Sequence, residues 1–440
     1  MQSKFLLLVW LSLLVLGLRA PFVYGLGYLW VDMFTPQYVD PGLMGSLHVS
    51  LIMGVAALGS YLLLDRRAMP GPRAGIVLPI LFAIWVTLTT LWAAVPDAAW
   101  GKWDWAFKTI AFSAFVPFVF RSRVQIEAAV LVLVLSISAH AMAFGGKTLI
   151  GGGGYGLRLG LIIINMNLGE SSSLAVDCVA ILPLIGWLAR HSVIVPAWRA
   201  RRLVALGLGG VVVFAALGTY ARAGLIALAV YAAFAWWSSK RKLLLPIVFA
   251  VAAVGLVSFM GANWSARMAT ILDPAHESSA STRLAVWSWT WNYVLQHPLG
   301  GGFEVWQIGV ADLVIDGVEV SERSRAFHSS YFEVLGEQGF VGLALFGGMI
   351  LTFFSNALRI ARRARQIAEL AWMADLAKAM IVSAASFFAG AAFIGVAFQP
   401  FHYYLFAFTV ALVNHYARAT QSAAARVADA RPPRGQPLRV

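Results

Sequence analysis

The chain has 440 residues, 60% of them hydrophobic and only 12% charged. Soluble domains carry roughly 25% charged residues, so this composition excludes a water-exposed globular surface and points to a polytopic membrane protein. A formal charge of +13 would suggest nucleic acid in a soluble protein. In a membrane protein it records topology, because cytoplasmic loops collect Lys and Arg.

The single cysteine, Cys178, lies within an apolar run, which excludes a disulfide framework and a cysteine-based metal site. Crossing a bilayer as a helix takes about 17–25 largely apolar residues. In chain order the sequence predicts twelve such spans: 5–22, 46–64, 76–93, 106–120, 126–144, 172–189, 203–218, 223–238, 243–260, 339–358, 379–397 and 401–417. The fold class expected is therefore all-α and polytopic.

Residues 203–238 test the count. As one helix they would exceed ~50 Å at ~1.5 Å per residue, against a hydrocarbon core of ~30 Å. Arg201 and Arg202 flank one end, and Lys240, Arg241 and Lys242 the other. Both ends therefore belong on the cytoplasmic side, and the chain must turn between Gly218 and Gly224 with Arg222 at the tip. With both termini inside, the cytoplasmic segments collect more than twice as many of the 33 Lys and Arg residues as the outer ones. Lys4 and the apolar run to Ala20 mimic a signal peptide, but Leu18 and Arg19 suit a cleavage site poorly, so a retained first helix is expected.

The domain reading follows from these spans: nine helices in 1–260, a large outer loop with short helices in 261–338, three helices in 339–417, and a basic tail in 418–440. The tail is rich in Ala, Arg and Pro and reads as disordered. No internal repeat is evident.

Polar chemistry gathers on the outer side. Arg283 through Gln296 reads as an aromatic helix ended by His297-Pro298 and three glycines. Arg283, its one charge, either snorkels or presents a guanidinium to an anion. His328 stands just before the next helix, with Ser329 and Ser330 as candidate caps. A helix N-terminus disfavours protonated imidazole, which leaves a lone pair for a general base. The alternative is a hydrogen-bonded loop histidine. At ~100° per residue, Glu333 and Glu337 lie roughly 140° and 180° around a continuous helix from His328, so neither suits a His–carboxylate dyad. Glu337 fits better as a brace for the helix start.

Arg222 is costly to bury in a membrane without a partner. It serves either as a headgroup anchor or as a phosphate ligand, for which its planar fork is suited. Asp273, His276 and Glu277 are too few and too local for a metal site. Gly151 to Gly156 lacks the Gly-Lys-Ser/Thr of a phosphate loop, although Lys147 and Arg158 beside it could hold an anionic lipid head.

Ala221-Arg222-Ala223-Gly224-Leu225, then Arg283, then Pro298-Leu299-Gly300-Gly301-Gly302-Phe303, then His328 through Gly342 resemble the O-antigen ligase family. The resemblance covers about 200–345. It departs from the family pattern at Ser329, where Asn is usual, and at Tyr220-Ala221-Arg222, where a Ser-Arg pair is usual. It implies a membrane glycosyltransferase of the GT-C type with a periplasmic active site in the bacterial inner membrane. The donor would be a glycan on undecaprenyl diphosphate, and the acceptor a sugar hydroxyl of lipid A–core. No cofactor, metal or nucleic acid is implied.

In that reading His328 is the base, with Arg222 and Arg283 on the diphosphate, Lys147 and Arg158 assisting, and Glu337 and Ser329 in support. Two alternatives remain open. One is a polymerase, or a protein-directed ligase, using the same donor. The other is a transporter, which predicts charges at mid-membrane and inverted repeats; Asp177 is the exception in spans otherwise nearly free of charge.

Overall fold

The structure is a computed structural model that describes residues 2–64, 73–154, 162, 167–269, 278–308, 310–315, 318–323 and 325–429. In chain order the helices are α1 (Gln2–Arg19), α2 (Phe22–Phe34), α3 (Pro36–Val39), α4 (Leu43–Ser46), α5 (Val49–Leu64), α6 (Ala74–Leu91), α7 (Pro96–Val119) and α8 (Arg123–Gly151). Then come α9 (Ser171–His191), α10 (Arg201–Gly218), α11 (Arg222–Ser238), α12 (Leu244–Ala269), α13 (Ser278–Gln296), α14 (Ser330–Arg363), α15 (Ala371–Ala391) and α16 (Pro400–Asp429).

A helix stands at each of the twelve apolar runs. Among the described residues seven are long and apolar enough to cross a membrane: α1, α6, α8, α9, α10, the α14 segment and the α15 segment. The helices α2, α5 and α11 are shorter but apolar. The bundle's outer surface is itself apolar, with Leu206 and Leu351 each 72% exposed. Such a surface suits lipid and not water. The chain is a polytopic, predominantly helical membrane protein.

Three departures from the sequence reading matter. The helix α2 occupies what was expected as an outer loop. It packs on α5 and α8, and its Asp32 accepts from Tyr404 Oη at 2.7 Å and Thr109 Oγ1 at 3.1 Å. The large loop is not wholly helical: β1 (Val310–Ile315) and β2 (Val318–Arg323) form an antiparallel hairpin pairing Val310 with Arg323 and Ile315 with Val318. Strand-forming Val on both arms, with Ile315 on the first, accounts for it. Finally, the helix expected just after His328 and the span expected from 339 form one element, α14, which kinks at Gly339 (φ 65°, ψ −166°).

The expected hairpin at 203–238 is present as α10 and α11, with Arg222 as the first residue of α11. The aromatic helix is present as α13 and packs on α14. The N-terminal ends of α7, α9, α11 and α14 and the C-terminal end of α15 gather at one end of the bundle, and there the polar residues meet.

Candidate functional site

Two glycine-bearing turns build the floor of this site. Gly301 and Gly302 donate their N–H groups to the carbonyls of Gly336 and Glu337 at 3.0 and 2.9 Å, and Phe340 donates to Pro298 at 3.0 Å. The backbones are so close that a Cβ on Gly300 would lie 2.5 Å from the Gly339 nitrogen, and one on Gly339 would lie 2.3 Å from the Pro298 oxygen. Both glycines also hold positive φ, 82° and 65°, which other L-residues adopt at a cost. The two glycine motifs singled out in the sequence are thus the two halves of one backbone contact.

Lys102, in the second turn of α7, locks this contact from the other side. Its ammonium donates to Glu333 Oε1 at 2.7 Å and Glu337 Oε1 at 2.8 Å, and lies 3.3 Å from Glu304 Oε1. It also sits over the rings of Phe398 and Phe303. Glu337 accepts a second bond from the Glu304 N–H at 2.9 Å. Glu333 Oε2 accepts from the Ala397 N–H at 3.0 Å. One lysine therefore ties α7, the 300–304 turn, the start of α14 and the segment after α15.

His328 is held between two fixed neighbours. Phe327 is buried against Ala285, Val286 and Val305, and its carbonyl accepts from Trp287 Nε1 at 2.8 Å. Ser330 Oγ donates to the Ile394 carbonyl at 2.9 Å and accepts from the Val396 N–H at 3.0 Å. Between them His328 adopts φ 46°, a left-handed conformation uncommon outside glycine. Ser329 occupies the N-cap position but makes no cap hydrogen bond. Ser330 spends its hydroxyl on the 394–396 segment. The expected capping role is therefore absent at both.

His328, Arg283, Lys102, Glu170, Glu304, Glu333 and Glu337 all line one cavity of about 450 Å³, with Trp105, Trp306 and Phe398. Close surrounding by protein, followed by the positive charge of Arg283, lowers the His328 pKa from its ordinary value. Arg325 adds to the lowering and Glu170 opposes it. The imidazole is thus neutral at pH 7, with a nitrogen lone pair available. Glu333 and Glu337, rejected above as dyad partners, are both bound to Lys102. The carboxylate that acts on His328 is Glu170, at the N-cap of α9, where its Oε2 accepts from the Ser173 N–H at 2.6 Å.

Arg222 does not line the cavity. Its helix start lies against elements that do. A Cβ on Gly224 would meet Ala175 of α9 at 2.7 Å, and one on Gly390 of α15 would lie 3.2 Å from the Ala223 carbonyl. Tyr220, two residues before Arg222, has φ 56°, and its hydroxyl donates to the Gly152 carbonyl at 3.2 Å. The Gly154 N–H donates to Gly218 at 3.0 Å, so Gly152 and Gly154 are both bonded to the α10–α11 turn.

Lys147 is exposed on α8 and does not line the cavity. Arg158 lies outside the described residues, as do Asp273, His276 and Glu277. Among the described residues no cluster of acidic, Cys or His side chains is arranged to hold a metal ion.

Lys102, Glu170 and Glu304 were missed in the sequence. A lysine set among Trp100, Trp103 and Trp105, and a glutamate just before Ser171-Ser172-Ser173, were the only local signals for the first two.

Residues 211–347 match the family described as O-antigen ligase. Residues 1–193 match a family of unknown function, DUF5935. Among curated proteins none matches the chain. Arg222, Arg283, Glu304, His328, Glu333 and Glu337 all fall within the first match, whereas Lys102 and Glu170 fall within the second.

Proposed function

We propose that this chain, whose residues 211–347 match the family described as O-antigen ligase, is an O-antigen ligase. It transfers a glycan from undecaprenyl diphosphate to a sugar hydroxyl of lipid A–core. The observation that carries the reading is the shared cavity of His328 and Arg283. A neutral imidazole and a guanidinium face one space large enough for a sugar and its leaving group. The charge asymmetry of the loops supports an inner-membrane protein with cytoplasmic termini and the cavity on the periplasmic side.

In this mechanism His328 takes the proton of the acceptor hydroxyl as that oxygen attacks the anomeric carbon. The bond from the anomeric carbon to the phosphate oxygen breaks, and the diphosphate leaves with the electron pair. One displacement inverts the anomeric centre. Arg283 in the cavity and Arg222 beside it stabilise the negative charge on the leaving group, which guanidinium donors can do by paired hydrogen bonds.

General-base assistance contributes about 10²–10⁴-fold. His328→Ala should lower transfer by that order while the protein still inserts. The deciding experiment is transfer from a purified undecaprenyl-diphosphate glycan to lipid A–core, with and without EDTA. Transfer that survives EDTA and is lost in His328→Ala supports the reading. Transfer only between two donor lipids would make the chain a polymerase. A requirement for divalent ion would reopen Asp273, His276 and Glu277.

A further inference from the structure

The cavity holds more acid than an anion site can use. Its lining carries the carboxyl side chains of Glu170, Glu304, Glu333 and Glu337 against the two cations Lys102 and Arg283. Carboxylates in excess repel a diphosphate, so the acidic side must face another part of the ligand. Glu333 and Glu337 are committed to Lys102 and to backbone N–H groups, and are 9% and 0% exposed. Glu337 Oε2 is buried without a hydrogen-bond partner.

Glu304 differs from both. It is 20% exposed, and its backbone is left-handed at φ 60°. Strain of this kind persists where surrounding structure enforces it, often at ligand sites. Its carboxylate is pinned from both sides: Oε1 lies 3.3 Å from Lys102 Nζ, and Oε2 accepts from Gln307 Nε2 at 2.6 Å. A carboxylate has about four lone-pair sites, so an oriented acceptor remains for further hydroxyl donors. Trp306 and Trp105 line the same space, and indole faces suit the C–H face of a pyranose.

We propose that Glu304, oriented by Lys102 and Gln307 beside Trp306 and Trp105, is the hydroxyl-binding element of a pyranose subsite in this cavity. A sugar ring lies on indole while two of its hydroxyls donate to the Glu304 carboxylate. The cavity is thereby divided, with sugar on the acidic side and phosphate on the arginine side. That division rests on the transferase reading for its biological ligand, whereas the subsite's own chemistry does not.

The test uses the full chain in nanodiscs and two separate probes. Saturation-transfer NMR reads binding of D-galactose, L-rhamnose and N-acetyl-D-glucosamine. Phosphorus NMR line broadening reads binding of inorganic diphosphate. The expected result is saturation transfer to at least one sugar in the wild type, lost in Glu304→Gln and in Trp306→Leu, with diphosphate broadening kept in both variants.

Equal sugar signals in wild type and variants, or none in the wild type, would overturn the subsite. Loss of diphosphate broadening from the wild type would count against the transferase reading while leaving the sugar result standing. Thermal melting checks that each variant folds. Glu304→Asp, which keeps the charge but shortens its reach, reads the same subsite if Glu304→Gln does not.

Discussion

Lys102 donates to Glu337 at 2.8 Å across 235 residues of sequence. With Glu333 and Glu304 in the same cluster, it fixes the start of α14 against α7 and the 300–304 turn. Lys102 is 8% exposed. Breaking a buried ion pair by removing one partner destabilises by about 3–5 kcal/mol, because the other charge is left uncompensated. Lys102→Met should therefore lower the melting temperature of the solubilised protein sharply. Glu333→Gln in that background should recover part of the loss by removing one unpaired carboxylate. Wild-type melting of Lys102→Met would show that the cluster does not hold the site together.

The contact between Gly300 and Gly339 predicts a second structural sensitivity. Gly300→Ala would place a methyl 2.5 Å from the Gly339 nitrogen at a φ of 82°. An alanine at positive φ carries a penalty of about 1 kcal/mol or more, and the overlap with backbone adds to it. Expression in membranes and thermal stability should both fall. Gly347→Ala lies on the same helix, and its new Cβ would meet nothing within 4 Å, so it should leave both unchanged. Equal behaviour of the two variants would contradict the close packing.

The helices were legible in the sequence as long apolar runs separated by short basic or polar segments. The turn before Arg222 was legible because 203–238 is too long for one span. The helix α2 was not, since its 13 residues fall short of the ~17 that mark a span. The hairpin of β1 and β2 was overlooked in a loop read only for helices.

Within the site, Arg283 and His328 carried their chemistry in their own neighbourhoods. The role of Lys102 exists only through partners more than 200 residues away, and no local pattern encodes it. Glu304 is likewise meaningful only once Lys102 and Gln307 orient it.

Arg222 lies beside the cavity and not in its lining, which sets its expected phenotype apart from that of His328. In the proposed reaction it holds the donor diphosphate. Arg222→Lys keeps one charge but loses the planar fork that pairs with two phosphate oxygens. The donor KM should rise in Arg222→Lys and transfer should nearly vanish in Arg222→Ala, with the acceptor KM little changed. Steady-state kinetics with the two substrates varied separately check this. An unchanged donor KM in both variants would return Arg222 to the role of a headgroup anchor.

The lowered pKa of His328 gives the pH dependence a definite sign. The base form exists above the folded-state pKa and is lost as pH falls through it. Burial and the charges of Arg283 and Arg325 move that value down from the ordinary ~6.5. The acidic limb of kcat/KM should therefore lie below pH ~6.5.

Arg325→Gln removes one of the charges that disfavour imidazolium, so the limb should move to higher pH. Glu170→Gln removes a carboxylate that favours imidazolium, so the limb should move to lower pH. Opposite displacements in the two variants, with protein folding unchanged, identify the titrating group as His328. A limb that stays in place in both would assign the pH dependence to another group and leave His328 without its proposed role as base.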